Sequence, residues 1–199
     1  MKQNQIKKLV SFFYEIGNLR KVIRAHQQMF LFHDLTDNIA SHSFRVSFIG
    51  YFLAKELKAN ADKVIKMCLL HDIEEARSGD QNWVHKRYIK VFEDEIRDEQ
   101  LKYLPNSKEL LTLSKEYQER KTKEAKIARD ADLLDQVFLQ KEYAWQGIRE
   151  AKDWLKGTKK ASQQERQMFT KLAKEIAREA KKQDPSFWWG NLWTPTRRE

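Results

Sequence analysis

The sequence predicts an all-α protein, a bundle of about six to eight helices. Three observations carry that expectation. Apolar residues recur at three- and four-residue intervals along nearly the whole chain, the period of one helix face. Glycine and proline number only six and three in 199 residues, too few for a loop-rich or all-β fold. No stretch alternates like a convincing strand, and no internal repeat is seen. With 41% hydrophobic residues the chain can bury one core, and its length suits one domain.

The first helix carries Leu9, Phe12, Phe13, Ile16, Leu19 and Ile23 on one side. The polar stretch His33-Asp34-Leu35-Thr36-Asp37-Asn38 separates it from a second helix, which starts around Ser41. That helix shows Val46, Ile49, Phe52, Leu53 and Leu57. Asn60 or Asp62 can cap a third, whose apolar positions are Val64, Ile65, Cys68, Leu69 and Ile73. It ends near Ser78-Gly79, where glycine is a usual terminator. Residues 83–104 are amphipathic and charged, and Ser107 starts another helix. A long helix is expected over about 123–155, closed by Gly157-Thr158, and a basic amphipathic helix over about 162–183, before Pro185. Residues 1–160 therefore read as the main domain, with 161–199 a C-terminal helix and tail packed on it. The tail holds Trp188, Trp189 and Trp193, which are costly to expose.

The net charge of +9 is unevenly spread, about +5 over residues 1–24, about +6 over 149–199 and about −2 between them. The basic charge thus lies away in sequence from the candidate site and reads as solvated helix surface, so nucleic acid is not expected as a partner. No apolar run approaches the ~18–20 residues needed to span a membrane. The short stretch Leu9-Val10-Ser11-Phe12-Phe13 continues into Tyr14-Glu15-Ile16 and reads as a helix rather than a signal peptide. The single cysteine, Cys68, sits in an apolar run and reads as a core residue, which excludes a disulfide within one chain and fits a reducing cytoplasm.

The chemistry concentrates in His42, His71-Asp72 and Asp132. Two imidazoles and two carboxylates form a four-ligand set for one divalent cation. Each is weak evidence alone: Asp130 and Asp135 are as available as Asp132, and an adjacent His-Asp pair is common. Together they gain weight, because acids inside apolar helical stretches are costly to bury unless paired or metal-bound. Glu75 follows His71 by one helical turn and would face the same cavity. Asp80 follows the helix-ending Gly79, where a turn could aim it back at the site.

This H…HD…D pattern resembles the HD-domain metal-dependent phosphohydrolases. The fuller form, His71-Asp72-x-x-Glu75-x-x-x-Gly79-Asp80 with Ser41-His42-Ser43 before it and Ala131-Asp132 after, looks like the 5′-deoxynucleotidase branch. The resemblance covers about residues 18–145 and implies hydrolysis of (deoxy)ribonucleoside 5′-monophosphates to nucleoside and phosphate. It implies that His42, His71, Asp72 and Asp132 hold one divalent metal, Mn²⁺ or Co²⁺ first, with Mg²⁺, Fe²⁺, Ni²⁺ and Zn²⁺ as the other candidates. It implies Glu75 as the catalytic acid, Asp80 as a catalytic group near the sugar, and Arg24 on the substrate phosphate, with Arg20 its competitor. A homodimer is usual in the family. Departures are Ser41 where an acid often stands, Ala25 where tryptophan is frequent, and a longer insert with His26, Phe30, Phe32 and His33. They bear on base and sugar recognition. The rivals are an HD phosphohydrolase acting on a cyclic nucleotide, an alarmone or a nucleoside triphosphate, and a basic helical binding module with an inert HD site. The alarmone enzymes carry HDxxED; here Ile73-Glu74-Glu75-Ala76 lacks the final Asp.

Overall fold

The computed structural model describes residues 1–157, 161–190 and 192, so Trp193 of the tail lies outside the described residues. Regular structure among them is helical, with an isolated antiparallel bridge between Ile23 and Asn38. The N-terminal half holds α1 (Gln3–Gly17), α2 (Gln27–Phe30), α3 (Ile39–Glu56), α4 (Ala61–Leu70), α5 (Glu75–Ser78), α6 (Trp83–Tyr88) and α7 (Glu93–Leu101). The C-terminal half holds α8 (Ser107–Glu119), α9 (Lys123–Trp145), α10 (Arg149–Lys156), α11 (Gln163–Gln167), α12 (Lys171–Lys182) and α13 (Phe187–Gly190).

The helices outnumber the expectation because several predicted helices are broken. The first stops at Gly17 and passes through a 3₁₀ turn, Asn18–Lys21, so Ile23 lies in extended chain. The third stops at Leu70, and residues 71–74 form a turn before α5. Residues 83–104 split into α6 and α7. The long helix predicted to 155 ends at Trp145, because Gly147 adopts φ 100° and turns the chain into α10. The predicted 162–183 helix breaks before Thr170, whose side chain accepts from the Ala173 amide and starts α12 afresh.

The core lies where α3, α4 and α9 meet. Val46, Leu53 and Ala54 of α3 pack with Val64, Met67 and Cys68 of α4 and with Ile127, Ala128, Ala131 and Leu134 of α9. Gly50 lets α3 approach α4 closely: a Cβ there would lie 2.7 Å from Cys68 Sγ and 3.1 Å from Val64 Cγ1. Helix α12 joins the same core through Ala173, Ala177 and Ala180. Buried Asp130 ties it down by accepting from the Phe169 and Thr170 amides at 2.7 and 2.8 Å. Beyond α12, Phe187 and Trp188 are exposed, and Trp188 meets Trp189 edge-on. No helix among the described residues is long and apolar enough to cross a membrane.

Candidate metal centre and its cavity

The first turn of α3 presents His42. Asn38 caps that turn, its side chain accepting from the Ser41 amide at 3.0 Å while Ser41 Oγ accepts from the Asn38 amide at 3.2 Å. Ser41 is thus an exposed capping residue, while His42, one position on, points inward and is 3% exposed. His71 stands at the C-cap of α4. Its Nδ1 donates to the Cys68 carbonyl at 2.7 Å, occupying one of the acceptors that a helix end leaves unpaired. The Nδ1 of His42 donates to Asp135 at 2.5 Å. Both rings are therefore committed at Nδ1 and turn Nε2 toward the centre, where the two atoms face each other at 3.1 Å.

Two carboxylates close on that pair. Asp72 Oδ2 lies 3.0 Å from His71 Nε2 and 3.7 Å from His42 Nε2. Asp132 Oδ1, from α9, lies 3.4 Å from His42 Nε2. The donor atoms of His42, His71 and Asp72 all fall within 4.8 Å of one another. Three donors within 4.8 Å of one another, with Asp132 beside them and itself paired with Arg129, fit a divalent ion, and the donor set of imidazole and carboxylate suits a first-row metal. The field has the same sign. Burial works against ionising Asp72, yet the neighbouring imidazoles outweigh it and hold the carboxyl down at about 2. Burial likewise raises Asp132, but Arg129, His42 and His71 outweigh it and keep it well below the usual range. Burial disfavours charge on His71, yet Asp72 beside it raises its pKa to about 9. The centre attracts positive charge.

The three neighbouring acids of α9 separate cleanly. Asp132 joins the cluster, Asp130 faces the opposite way onto α12, and Asp135 orients His42 while accepting from Arg45 Nε at 2.5 Å. Sequence reasoning weighed Asp135 only as a rival to Asp132 and passed over Arg45, Tyr117, Arg129 and Gln136. Arg129 pairs with Asp132, Tyr117 donates to it at 3.4 Å, and Gln136 donates to its Oδ1 at 3.1 Å. The available signal was spacing: Arg129, Asp132, Asp135 and Gln136 recur at three or four residues, on one side of α9.

Arg24 does not lie on the first helix. It follows the 3₁₀ turn in an extended segment, its amide donating to the Asp37 carbonyl at 3.1 Å. Its guanidinium is buried, 3.6 Å from Asp80 and 3.9 Å from Asp135, and Nε and Nη1 have no hydrogen-bond partner among the described residues. Arg20 is exposed. Asp80 accepts from the Ala25 amide at 2.7 Å, so it fixes the Arg24 segment. Glu75 reaches this neighbourhood as the first residue of α5, not as a continuation of α4. Its Oε2 is buried without a hydrogen-bond partner among the described residues. Burial, with Asp72 and Asp80 nearby, pushes its pKa up to about 11 against the pull of Arg24. A cavity of about 840 Å³ opens beside Arg24 and Asp80 and runs past Arg129, Gln136 and Gln140 of α9.

The HD-domain family model matches residues 16–176. A Dictyostelium discoideum protein named 5′-deoxynucleotidase HDDC2 is 27% identical over a 123-residue alignment that covers 55% of this chain and 64% of that protein. The aligned part thus spans slightly less than two thirds of that relative. The Mus musculus protein of the same name is 24% identical over 140 residues, covering 68% of this chain and 69% of its own. Among solved structures, a conserved hypothetical protein from Pyrococcus furiosus shares the fold with a TM-score of 0.71 at 24% identity, over 87% of this chain and 99% of that one.

Proposed function

The chain belongs to the HD-domain family, and from that premise we propose that it is a metal-dependent phosphomonoesterase acting on (deoxy)ribonucleoside 5′-monophosphates. The observation that carries the reading is the pair of Nε2 atoms at 3.1 Å, with Asp72 and Asp132 beside them and Arg24 buried next to the cavity. The relatives named 5′-deoxynucleotidase support the substrate class.

In this proposal His42, His71, Asp72 and Asp132 hold one divalent ion, Mn²⁺ or Co²⁺ first. Bound there, it would supply Lewis acidity to a phosphoryl oxygen and acidify water at the site. Arg24 binds the phosphate: its charge is permanent, and its unpartnered Nε and Nη1 offer the paired donors that phosphate oxygens accept. Asp80 holds Arg24 and the Ala25 amide in place at the sugar end of the site. Glu75, buried beside Asp72 and Asp80, serves as the acid that passes a proton to the departing 5′-oxygen. Residues 1–160 form the phosphohydrolase domain, with 161–199 as its C-terminal extension. A cytoplasmic setting suits the buried free thiol of Cys68. A homodimer completes the proposal, and sedimentation as a single-chain species at all concentrations would remove it.

The test is phosphate release from a panel of ribo and deoxy 5′-mononucleotides with Mn²⁺, Co²⁺ or Mg²⁺ and an EDTA control. Metal-dependent release from deoxynucleoside monophosphates is expected. Silence across the panel with metal bound would move the assignment to cyclic, pyrophosphate or other phosphoester substrates.

A further inference from the structure

The cavity is unusual for its carboxamides, which lead away from the candidate metal centre along α9 and α11. Gln136, Gln140, Gln163, Gln164 and Gln167 all line it. Three are joined to the centre or left open toward a ligand. Gln136 Nε2 donates to Asp132 Oδ1 at 3.1 Å, and Gln164 Nε2 donates to Gln136 Oε1 at 3.4 Å. The row then ends on Gln164 Oε1, which is buried and has no hydrogen-bond partner among the described residues. Gln140, one turn beyond Gln136 on α9, is 4% exposed, and its Oε1 is likewise buried and unpartnered among the described residues. Buried carboxamide oxygens without donors are costly, and a native fold seldom keeps two of them lining one cavity without use. Indole surface lies in the same cavity: Trp83 and Trp154 have ring centroids 5.0 Å apart. Gln140 lies two helical turns, about 12 Å along α9, from Asp132, comparable with the reach of a nucleotide from phosphorus to the outer edge of its base.

We propose that Gln140 and Gln164 read the nucleobase, their Oε1 atoms accepting from the amino group of cytosine, adenine or guanine while Trp83 and Trp154 supply the stacking wall. This inference rests on the nucleotide reading and deepens it to base selectivity. Carboxamide pairing with an amino-bearing base edge is a recognised contact, and a site with buried acceptors rejects a ligand that leaves them unpaired. Bases bearing an amino group are preferred over thymine and uracil.

The experiment is a titration of metal-free protein, in EDTA, with deoxycytidine, deoxyadenosine, deoxyguanosine and thymidine, followed by tryptophan fluorescence. These probes carry no phosphate, so the readout is independent of hydrolysis. The wild type is expected to bind the amino-bearing nucleosides at least tenfold tighter than thymidine. Gln140→Leu should bring that ratio near one, and Gln140→Glu, which keeps an acceptor, should preserve it. Gln164, only half-buried, supplies a second variant, Gln164→Leu, whose folding is less at risk; it should narrow the ratio severalfold. An unchanged ratio in both leucine variants, or no discrimination in the wild type, overturns the inference. Phosphate release in the mononucleotide panel without base discrimination here would overturn only this inference. Discrimination here with a silent panel would overturn the proposed function and leave the base site standing.

Discussion

At the scale of single residues, the centre depends on which nitrogen of each imidazole carries the proton. Asp135 and the Cys68 carbonyl settle that by accepting from the Nδ1 atoms. In Asp135→Asn the amide nitrogen can turn toward His42, since the oxygen is also sought by Arg45. His42 would then carry its proton on Nε2 and lose its lone pair toward the centre. Metal affinity should fall about 10–100-fold with the fold intact, read by calorimetric titration with Mn²⁺; unaltered affinity would remove Asp135 from this role. Glu75→Gln separates binding from proton transfer. Metal should still bind stoichiometrically, while kcat falls by about 10²–10⁴. Near-normal turnover would make Glu75 a spectator.

At the scale of elements, the centre requires α3 and α4 to lie closer than ordinary side chains permit. Glycine inside a helix costs about 0.5–1 kcal/mol relative to alanine, and Gly50 offsets this by admitting Cys68 and Val64. Gly50→Val should therefore destabilise the fold by about 1–3 kcal/mol through overpacking, measured by urea denaturation; a neutral result would mean that α4 can shift outward. The joint of α11 with α12 is electrostatic. Buried Glu165 accepts from Arg178 at 2.8 Å and Lys181 at 2.6 Å. Burial raises its pKa, but these two cations outweigh it and leave the folded value below the ordinary 4.5. A depressed carboxyl stabilises fully above the unfolded value and loses that contribution as pH falls through the folded one. Thermal scans should show a stability increment present above pH 4.5, lost under more acidic conditions and absent from Glu165→Gln at every pH.

At the scale of the whole molecule, the four candidate ligands come from three places: the start of α3, the end of α4 with its turn, and the middle of α9. An ion that binds only the folded arrangement must stabilise the fold. At a free Mn²⁺ concentration 100-fold above Kd the gain is about 2.7 kcal/mol, a rise in Tm of about 5–10 °C for a chain of this size. Differential scanning calorimetry with and without EDTA reads it directly. Equal Tm values, or a shift that survives Asp72→Ala, would count against a centre built from these residues.

The sequence alone determined the helical class and part of the core, Val46, Leu53, Val64, Cys68, Ile127 and Leu134 among it, and it named His42, His71, Asp72, Asp132, Glu75, Asp80 and Arg24 as candidates; Phe13, Phe52, Leu69 and Tyr88, read on apolar faces, are exposed instead. Helical period and a spaced pattern of metal-binding side chains are local in sequence, and so can be read without a structure. Local pattern failed at the helix ends. The break after Leu70 lets the His71 ring take the Cys68 carbonyl, and the breaks at Gly147 and before Thr170 serve packing onto α9. Only the tertiary structure separated Asp132 from Asp130 and Asp135, three acids that occupy one helix and differ only in what faces them. It also buried Arg24 beside Asp80 and left Arg20 exposed, a difference that belongs to the folded chain. The reason is general: a carboxylate's role is set by its neighbours within a few ångströms, and here Asp135 meets His42 from 93 residues away in sequence.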